Sequence, residues 1–240
     1  MATTETTTAT STDDEGQRHM HFTKEKETSA QSAREQPVAI RLLLACGAIG
    51  PLLFTVVFVI LGATRPHYSA WQDAVSSLSL GEGGWMQITN FIVFGALMLG
   101  FAIGLRRVLR TGPGSTWGPT LLGIFGLCVI GAGIFVTDGG SSTLTVHGIL
   151  HGFLSLFAFT SLIAACFVLA RRDAADPDAH GWAWYSVATG LLVAVFFVLT
   201  GVVESLGGPA GLMQRISIIV GWSWIALLAI RLMSKKVPLA

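Results

Sequence analysis

Residues 144–172, LTVHGILHGFLSLFAFTSLIAACFVLARR, hold no Asp, Glu, Lys or Arg before the closing pair Arg171-Arg172. A helix rises ~1.5 Å per residue, so ~20 residues cross a hydrocarbon core of ~30 Å. The uncharged run is longer than that and reads as a transmembrane helix. Five further apolar stretches lie around it, and the six cover about residues 42–63, 86–105, 117–136, 144–170, 182–203 and 212–230. Trp85, Trp117, Trp182 and Trp184 stand at the ends of these runs, where an aromatic belt meets the lipid headgroups. The fold class predicted is all-α, a bundle of six transmembrane helices over residues 41–235.

The composition agrees with lipid as the main solvent. Of 240 residues 52% are hydrophobic and 12% charged, with a mean hydropathy of +0.64. Soluble domains carry about 25% charged residues, so this chain lacks the charge needed to cover a surface in water. A net charge of +1 with no basic run argues against a nucleic-acid partner. Cys46, Cys128 and Cys166 all fall inside apolar runs and read as small buried hydrophobes, not as a disulfide or metal set.

Residues 1–40 differ from the rest. Up to residue 36 they are mainly Thr, Ser, Glu, Asp, Gln and Lys, and such a segment buries too little surface to offset its ordering entropy. A disordered tail is expected there. No apolar core follows a basic start, so it does not read as a signal peptide. His19 and His21 within it read as solvated polar residues.

Lys and Arg set the orientation. Arg18, Lys24, Lys26, Arg34 and Arg41 precede the first span, and Arg106, Arg107 and Arg110 follow the second. Arg171 and Arg172 follow the fourth, and Arg231, Lys235 and Lys236 the sixth. Thirteen of the fifteen basic residues thus share one side, leaving only Arg65 and Arg215 on the other. Both termini are predicted to be cytoplasmic. Gly100/Gly104 and Gly148/Gly152 have the four-residue spacing that lets helices approach closely.

With this topology the polar residues gather at the outer rim. His147, His151 and Ser155 are spaced by four on one helix face. Asp138 closes the third span, Gln87 and Asn90 open the second, Glu204 ends the fifth and Arg215 starts the sixth. In residues 70–79, Trp71, Ala74, Val75 and Leu78 have helical spacing, with Gln72, Asp73, Ser76 and Ser79 opposite them. This predicts a short amphipathic helix lying over the polar cluster. Helix ends tolerate polar residues in any membrane protein, and Glu204 with Arg215 could be a plain ion pair. Ionisable groups within a membrane are still functional candidates.

The segments Arg65-Pro66-His67-Tyr68, Ser76-Ser77-Leu78-Ser79-Leu80-Gly81, Gly131-Ala132-Gly133-Ile134-Phe135-Val136-Thr137-Asp138 and His147-Gly148-Ile149-Leu150-His151 carry a resemblance. In order and spacing they resemble the bacterial membrane family called domain of unknown function 998, across about residues 40–235. The resemblance implies a six-span integral protein of the plasma membrane without an established activity. It also implies that the Arg-Pro turn, the Ser-rich loop, Asp138 and the paired histidines are signature features. Gly is the family's usual residue after Arg-Pro, and His67 departs from it.

Two classes of function stay open. The first is a binding, transport or accessory role, in which Arg65, Ser77, Gln87, Asn90 and Arg215 would hold a lipid headgroup or small solute. The second is a zinc-dependent intramembrane hydrolase acting on a lipid-like substrate. There His147, His151 and Asp138 would ligate the metal while Asp73, Ser76 and Glu204 supply catalytic groups. That set loosely resembles the alkaline-ceramidase and progestin-receptor-like superfamily. It departs in having six spans instead of seven, two histidines on span four, and His67 as the only third outer histidine. Haem is disfavoured, because two histidines on one helix face cannot bind one iron from opposite sides. The inner halves of the helices carry few polar groups beyond Ser161, Thr189 and Thr200, which weighs against an ion channel.

Overall fold

The computed structural model describes residues 38–139 and 144–234. The tail, Gly140 to Thr143 and the last six residues lie outside it, and with them the expectation of a disordered N-terminus. The six apolar runs are six long helices: α1 (Val38–Thr64), α2 (Gly84–Val108), α3 (Trp117–Ile134), α4 (Val146–Ala174), α5 (His180–Ser205) and α6 (Ala210–Ser234). Each is long and apolar enough to cross a membrane. Two short 3-10 helices, Val75–Ser79 and Pro177–Ala179, complete the described secondary structure.

Consecutive helices pack against one another, and small residues set how closely. A Cβ added to Gly95 of α2 would lie 2.5 Å from the Gly126 carbonyl oxygen of α3, so these backbones nearly touch. Gly47 of α1 receives the Phe101 ring of α2, and Gly104 of α2 fits against Leu43 of α1. Pro51 interrupts the hydrogen bonding of α1, where its missing N–H frees a carbonyl one turn back. Of the two glycine pairs read as packing devices, Gly100/Gly104 faces α1, whereas Gly152 meets nothing within 4 Å.

The centre of the bundle is Trp222 of α6. Its ring lies 5.9 Å from Phe54 of α1, 5.1 Å from Phe94 of α2, 5.3 Å from Phe125 of α3 and 6.1 Å from Phe159 of α4. One side chain therefore ties five of the six helices together. Trp224, fully buried two residues later, donates its indole N–H to Ser186 of α5 at 2.9 Å. The outward faces are apolar: Leu42, Leu52, Phe153, Phe157, Val198 and Ile230 are all exposed. Leaving such faces to the solvent suits lipid and not water.

The two ends of the bundle differ in how their loops are tied. At one end arginines do it. Arg172 donates to the carbonyls of Thr111 and Pro113, Arg106 to that of Ser115, and Arg231 pairs with Asp173 at 2.9 Å. Arg231 also lies over the Trp182 ring, 4.6 Å from its centroid. At the other end a long connection, residues 65–83, folds back across the bundle. This segment caps the candidate site.

A capped cavity in the bundle

The cap is not the amphipathic helix expected over residues 70–79. Only Val75–Ser79 is helical, as a 3-10 turn, and Ser76 and Ser79 are buried while Trp71 is 63% exposed. The pattern misled because a 3-10 helix has three residues per turn, so residues three apart eclipse each other. Ser76 and Ser79 therefore share one side, and the Ser79 hydroxyl closes that turn on the Ser76 carbonyl at 2.5 Å. The chain enters the cap through His67, whose φ of 59° is a left-handed conformation that favours glycine. This is the backbone reason why Gly would be at home after Arg65-Pro66.

Two arginines hold the cap by its main chain. Arg65 donates to the carbonyls of Leu78, Leu80 and Glu82. Arg215 donates to the Asp73 carbonyl at 2.9 Å and to the Tyr68 hydroxyl, and its guanidinium lies 5.4 Å from the Tyr68 ring centroid. The first turn of α6 adds backbone bonds, from Gly211 N–H to the Gln72 carbonyl and from Leu212 N–H to that of Trp71. These are amides that a helix N-terminus leaves without an intrahelical partner. Gln214 accepts from Val75 N–H at 2.6 Å. Asp73 turns its carboxylate onto Ser69 N–H at 2.6 Å, and Ser77 donates to the Ala74 carbonyl at 2.6 Å. Burial holds the Tyr68 phenol above its ordinary range, opposed by the neighbouring Arg215 charge.

Arg215 is thus not the ion-pair partner of Glu204. Its donors are occupied by the Asp73 carbonyl, the Tyr68 hydroxyl and the Gly211 carbonyl, and Glu204 lies exposed at the end of α5. Among the described residues the ion pair is Arg231 with Asp173, at the opposite end.

Asp138 serves the start of α4. Its carboxylate accepts the backbone N–H of Thr145 at 2.9 Å and the Thr145 hydroxyl at 2.6 Å. Thr145 in turn accepts from Gly148 N–H as the N-cap. Gly148 is small for a local reason, since a Cβ there would fall 1.9 Å from the Asp138 carboxylate. The two Thr145 bonds hold the Asp138 carboxyl below its ordinary range. His147 is exposed and packs edge-on against Phe135. Among the described residues no group of three or more His, Cys, Asp or Glu could hold a metal ion. His147, His151 and Asp138 are therefore not assembled as a ligand set.

His151 points inward, unlike His147 one turn before it, and is only 6% exposed. Its Nδ1 lies 2.8 Å from the Ala132 carbonyl oxygen and 2.9 Å from that of Phe135. Both neighbours can only accept, so Nδ1 carries the hydrogen, and in that tautomer of the neutral ring Nε2 is the acceptor. These carbonyls belong to the end of α3, where helical partners run out. Gln87 and Asn90, in the first two turns of α2, are also buried. Asn90 donates to the Phe54 carbonyl of α1 at 3.1 Å and to Gln87 at 3.2 Å, and the Gln87 amide nitrogen is buried without a partner.

Beneath the cap His151 lines a cavity of about 40 Å³, together with Ser76, Ser155, Gln214 and Trp222 over walls of Phe54, Phe91, Phe125 and Phe159. The indole N–H of Trp222 is buried without an acceptor. The hydroxyls of Ser76 and Ser155 have no partner among the described residues, nor does His151 Nε2. Gln214 spends its oxygen on Val75 and leaves its NH₂ unpaired. Elsewhere in the bundle Thr55, Thr120, Ser161 and Thr200 turn their hydroxyls back onto the preceding turn. Ser155 does not. Sequence reasoning singled out His151 and Ser76 but missed Trp222 and Gln214. No spacing distinguishes a central tryptophan from one at a helix end.

The chain matches the family described as "Protein of unknown function (DUF998)" over residues 48–231. It is 30% identical over 180 residues to an alpha-(1->3)-arabinofuranosyltransferase of Corynebacterium glutamicum, covering 65% of this chain and 42% of that protein. It is 35% identical over 97 residues to the fluoride-specific ion channel FluC of Xanthomonas euvesicatoria, covering 37% of this chain and 71% of that one. The chain thus spans less than half of the transferase, and a transferase and a channel do not converge on one activity. No solved structure matches it. Four of the six apolar helices and most of α1 and α6, with the Arg65 turn, Asp138 and the His147–His151 pair, sit within the matched region, and the chain belongs to the DUF998 family of membrane proteins.

Proposed function

We propose that this protein is a binding protein of the plasma membrane whose site is the capped cavity, taking a small solute or the polar tip of a lipid. The observation that carries the reading is the convergence of five unspent polar groups on one aromatic-walled space. Buried polar groups are ordinarily paired, so each exception needs an explanation. Two such buried atoms occur among the described residues, and one of them, the Trp222 N–H, belongs to this cavity, where four further unpaired groups stand beside it. The donors are Trp222 N–H, the Ser76 and Ser155 hydroxyls and the Gln214 amide, and the acceptor is His151 Nε2.

No Lys, Arg, Asp or Glu lines the space, so the complementary group is uncharged. It carries oxygen acceptors and one hydroxyl. Counting ~10–15 Å³ of such volume per water, a cavity of about 40 Å³ has room for a group the size of roughly three waters. A larger headgroup requires the cap to move. Zinc-dependent hydrolysis draws no support from the geometry, because its ligands do not gather.

The orientation belongs to the same proposal: the arginine-tied end faces the cytoplasm and the cap faces out, as the positive-inside rule favours. In a chain whose native cysteines are replaced, an impermeant maleimide should label Glu82→Cys and spare Thr111→Cys in intact cells. The reverse pattern inverts the topology.

Native mass spectrometry of the protein extracted from its own membranes tests the site. The native chain should retain a neutral adduct that Ser155→Leu, which fills the cavity, loses without a fall in Tm. Its mass separates a solute from a lipid. Equal adducts on both chains, or none on either after soaking in membrane extract, refute the reading. Elemental analysis of the same sample reports on zinc.

A further inference from the structure

A second recess lies at the arginine-tied end, between α4 and α5. It is a groove of about 490 Å³ whose floor is made by Ala170, Ala174 and Ala183, with Trp184 on its lipid side and Arg171 and His180 at its rim. Alanines there keep the two helices from filling the space between them. Trp184 is 74% exposed, as an interfacial anchor is.

The rim charge is uncommitted. Arg172, Arg106 and Arg231 all bind loop carbonyls or a carboxylate. Arg171 has no hydrogen-bond or ionic partner among the described residues, and neither does the His180 ring. Of the carboxylates between Arg171 and His180, Asp173 pairs with Arg231 and Asp176 accepts the N–H of Asp178, while the Asp178 carboxylate stands exposed. An unpaired guanidinium over an apolar groove at headgroup depth calls for an anion attached to a hydrocarbon chain. Basic pockets between helices on the cytoplasmic side recognise phospholipid headgroups in this way.

We infer that the α4–α5 groove is a binding site for an anionic phospholipid, its phosphate held by Arg171 and His180 and its acyl chain laid over Ala170, Ala174 and Ala183. The site is separate from the capped cavity and does not depend on it. Arg171 makes a charge-assisted contact with the phosphate, and Trp184 fixes the depth of the glycerol region.

The full chain in detergent, offered equal phosphatidylglycerol and phosphatidylcholine and read by native mass spectrometry, provides the test. The native chain should retain phosphatidylglycerol preferentially. Arg171→Gln should cut that preference about fivefold, the equivalent of ~1 kcal/mol per basic residue near an anionic headgroup. His180→Gln should lower it too, and Ala174→Leu should reduce retention of both lipids by filling the groove. Arg107→Gln, an exposed arginine at the same end, should change nothing. Equal retention of the two lipids by the native chain overturns the inference. So does an equal loss in Arg107→Gln and Arg171→Gln, or a dimer that replaces lipid and is broken by Ala174→Leu.

Discussion

Arg215 reaches the cap from α6 and makes the contacts that fix its near edge. It donates to the Asp73 carbonyl, the Gly211 carbonyl and the Tyr68 hydroxyl, and lies against the rings of Phe58 and Tyr68. Two of the three bonds cross to the cap, because Gly211 belongs to α6 itself. Counting ~1 kcal/mol net for each crossing bond and about 0.5–1 kcal/mol for the cation over Tyr68, Arg215→Ala should weaken cap closure by about 3 kcal/mol. At 1.4 kcal/mol per factor of ten, the open fraction should rise roughly a hundredfold. Ser76 is 7% exposed, so Ser76→Cys reports that opening through its rate of maleimide labelling. Cys46 and Cys128 are replaced by alanine, and Cys166, 0% exposed in the core, is kept to reveal any opening of the whole bundle. Faster labelling at position 76 with Cys166 silent is the expected result. Arg215→Lys should fall between, since an ammonium cannot reproduce the planar fork. An unchanged labelling rate in Arg215→Ala at equal Tm would refute the assignment of Arg215 as the clamp.

Three further outcomes follow from the packing. Gly95→Ala drives a methyl into the Gly126 carbonyl and should cost about 1–3 kcal/mol of stability, whereas Gly152→Ala, in open space, should leave Tm unchanged or slightly raised. Thermal unfolding in detergent checks both, and equal Tm losses would contradict the close α2–α3 approach. Ser186→Ala strands the buried Trp224 N–H and should cost about 1–3 kcal/mol, read in the same assay; no loss means that the 2.9 Å bond adds nothing. Asp138 has its carboxyl held low by Thr145, so its contribution is complete above the ordinary carboxylate value of about 4 and is lost as pH falls through the depressed one. Asp138→Asn should therefore lower Tm at pH 7 but converge with the native chain in strong acid, and a gap independent of pH would dismiss the charge.

The six helices were legible because hydropathy is a sum over twenty residues, and no single position can hide it. Arg171-Arg172 marked the end of α4 to within a turn. The site was harder to read, because its residues are defined by direction. His147 and His151 share a spacing that puts them on one face, yet a 40° offset sends one against Phe135 at the surface and the other under α3. Asp138 looked like a ligand because periodicity does not encode its bonds to Thr145, seven residues on. Trp222 was invisible for a plainer reason: an apolar run scores it the same whether it faces lipid or joins five helices.

The two arginines of the cap grip carbonyl oxygens, apart from the one bond to Tyr68, and every residue has a carbonyl. Attachment and recognition are therefore written in different parts of the segment. Leu78 is held through its main chain by Arg65, while Ser76 is among the side chains that meet the cavity. A designer could rewrite the inward-facing letters of residues 75–79 and keep the same latch, which makes this connection a natural cassette for altering what the bundle accepts.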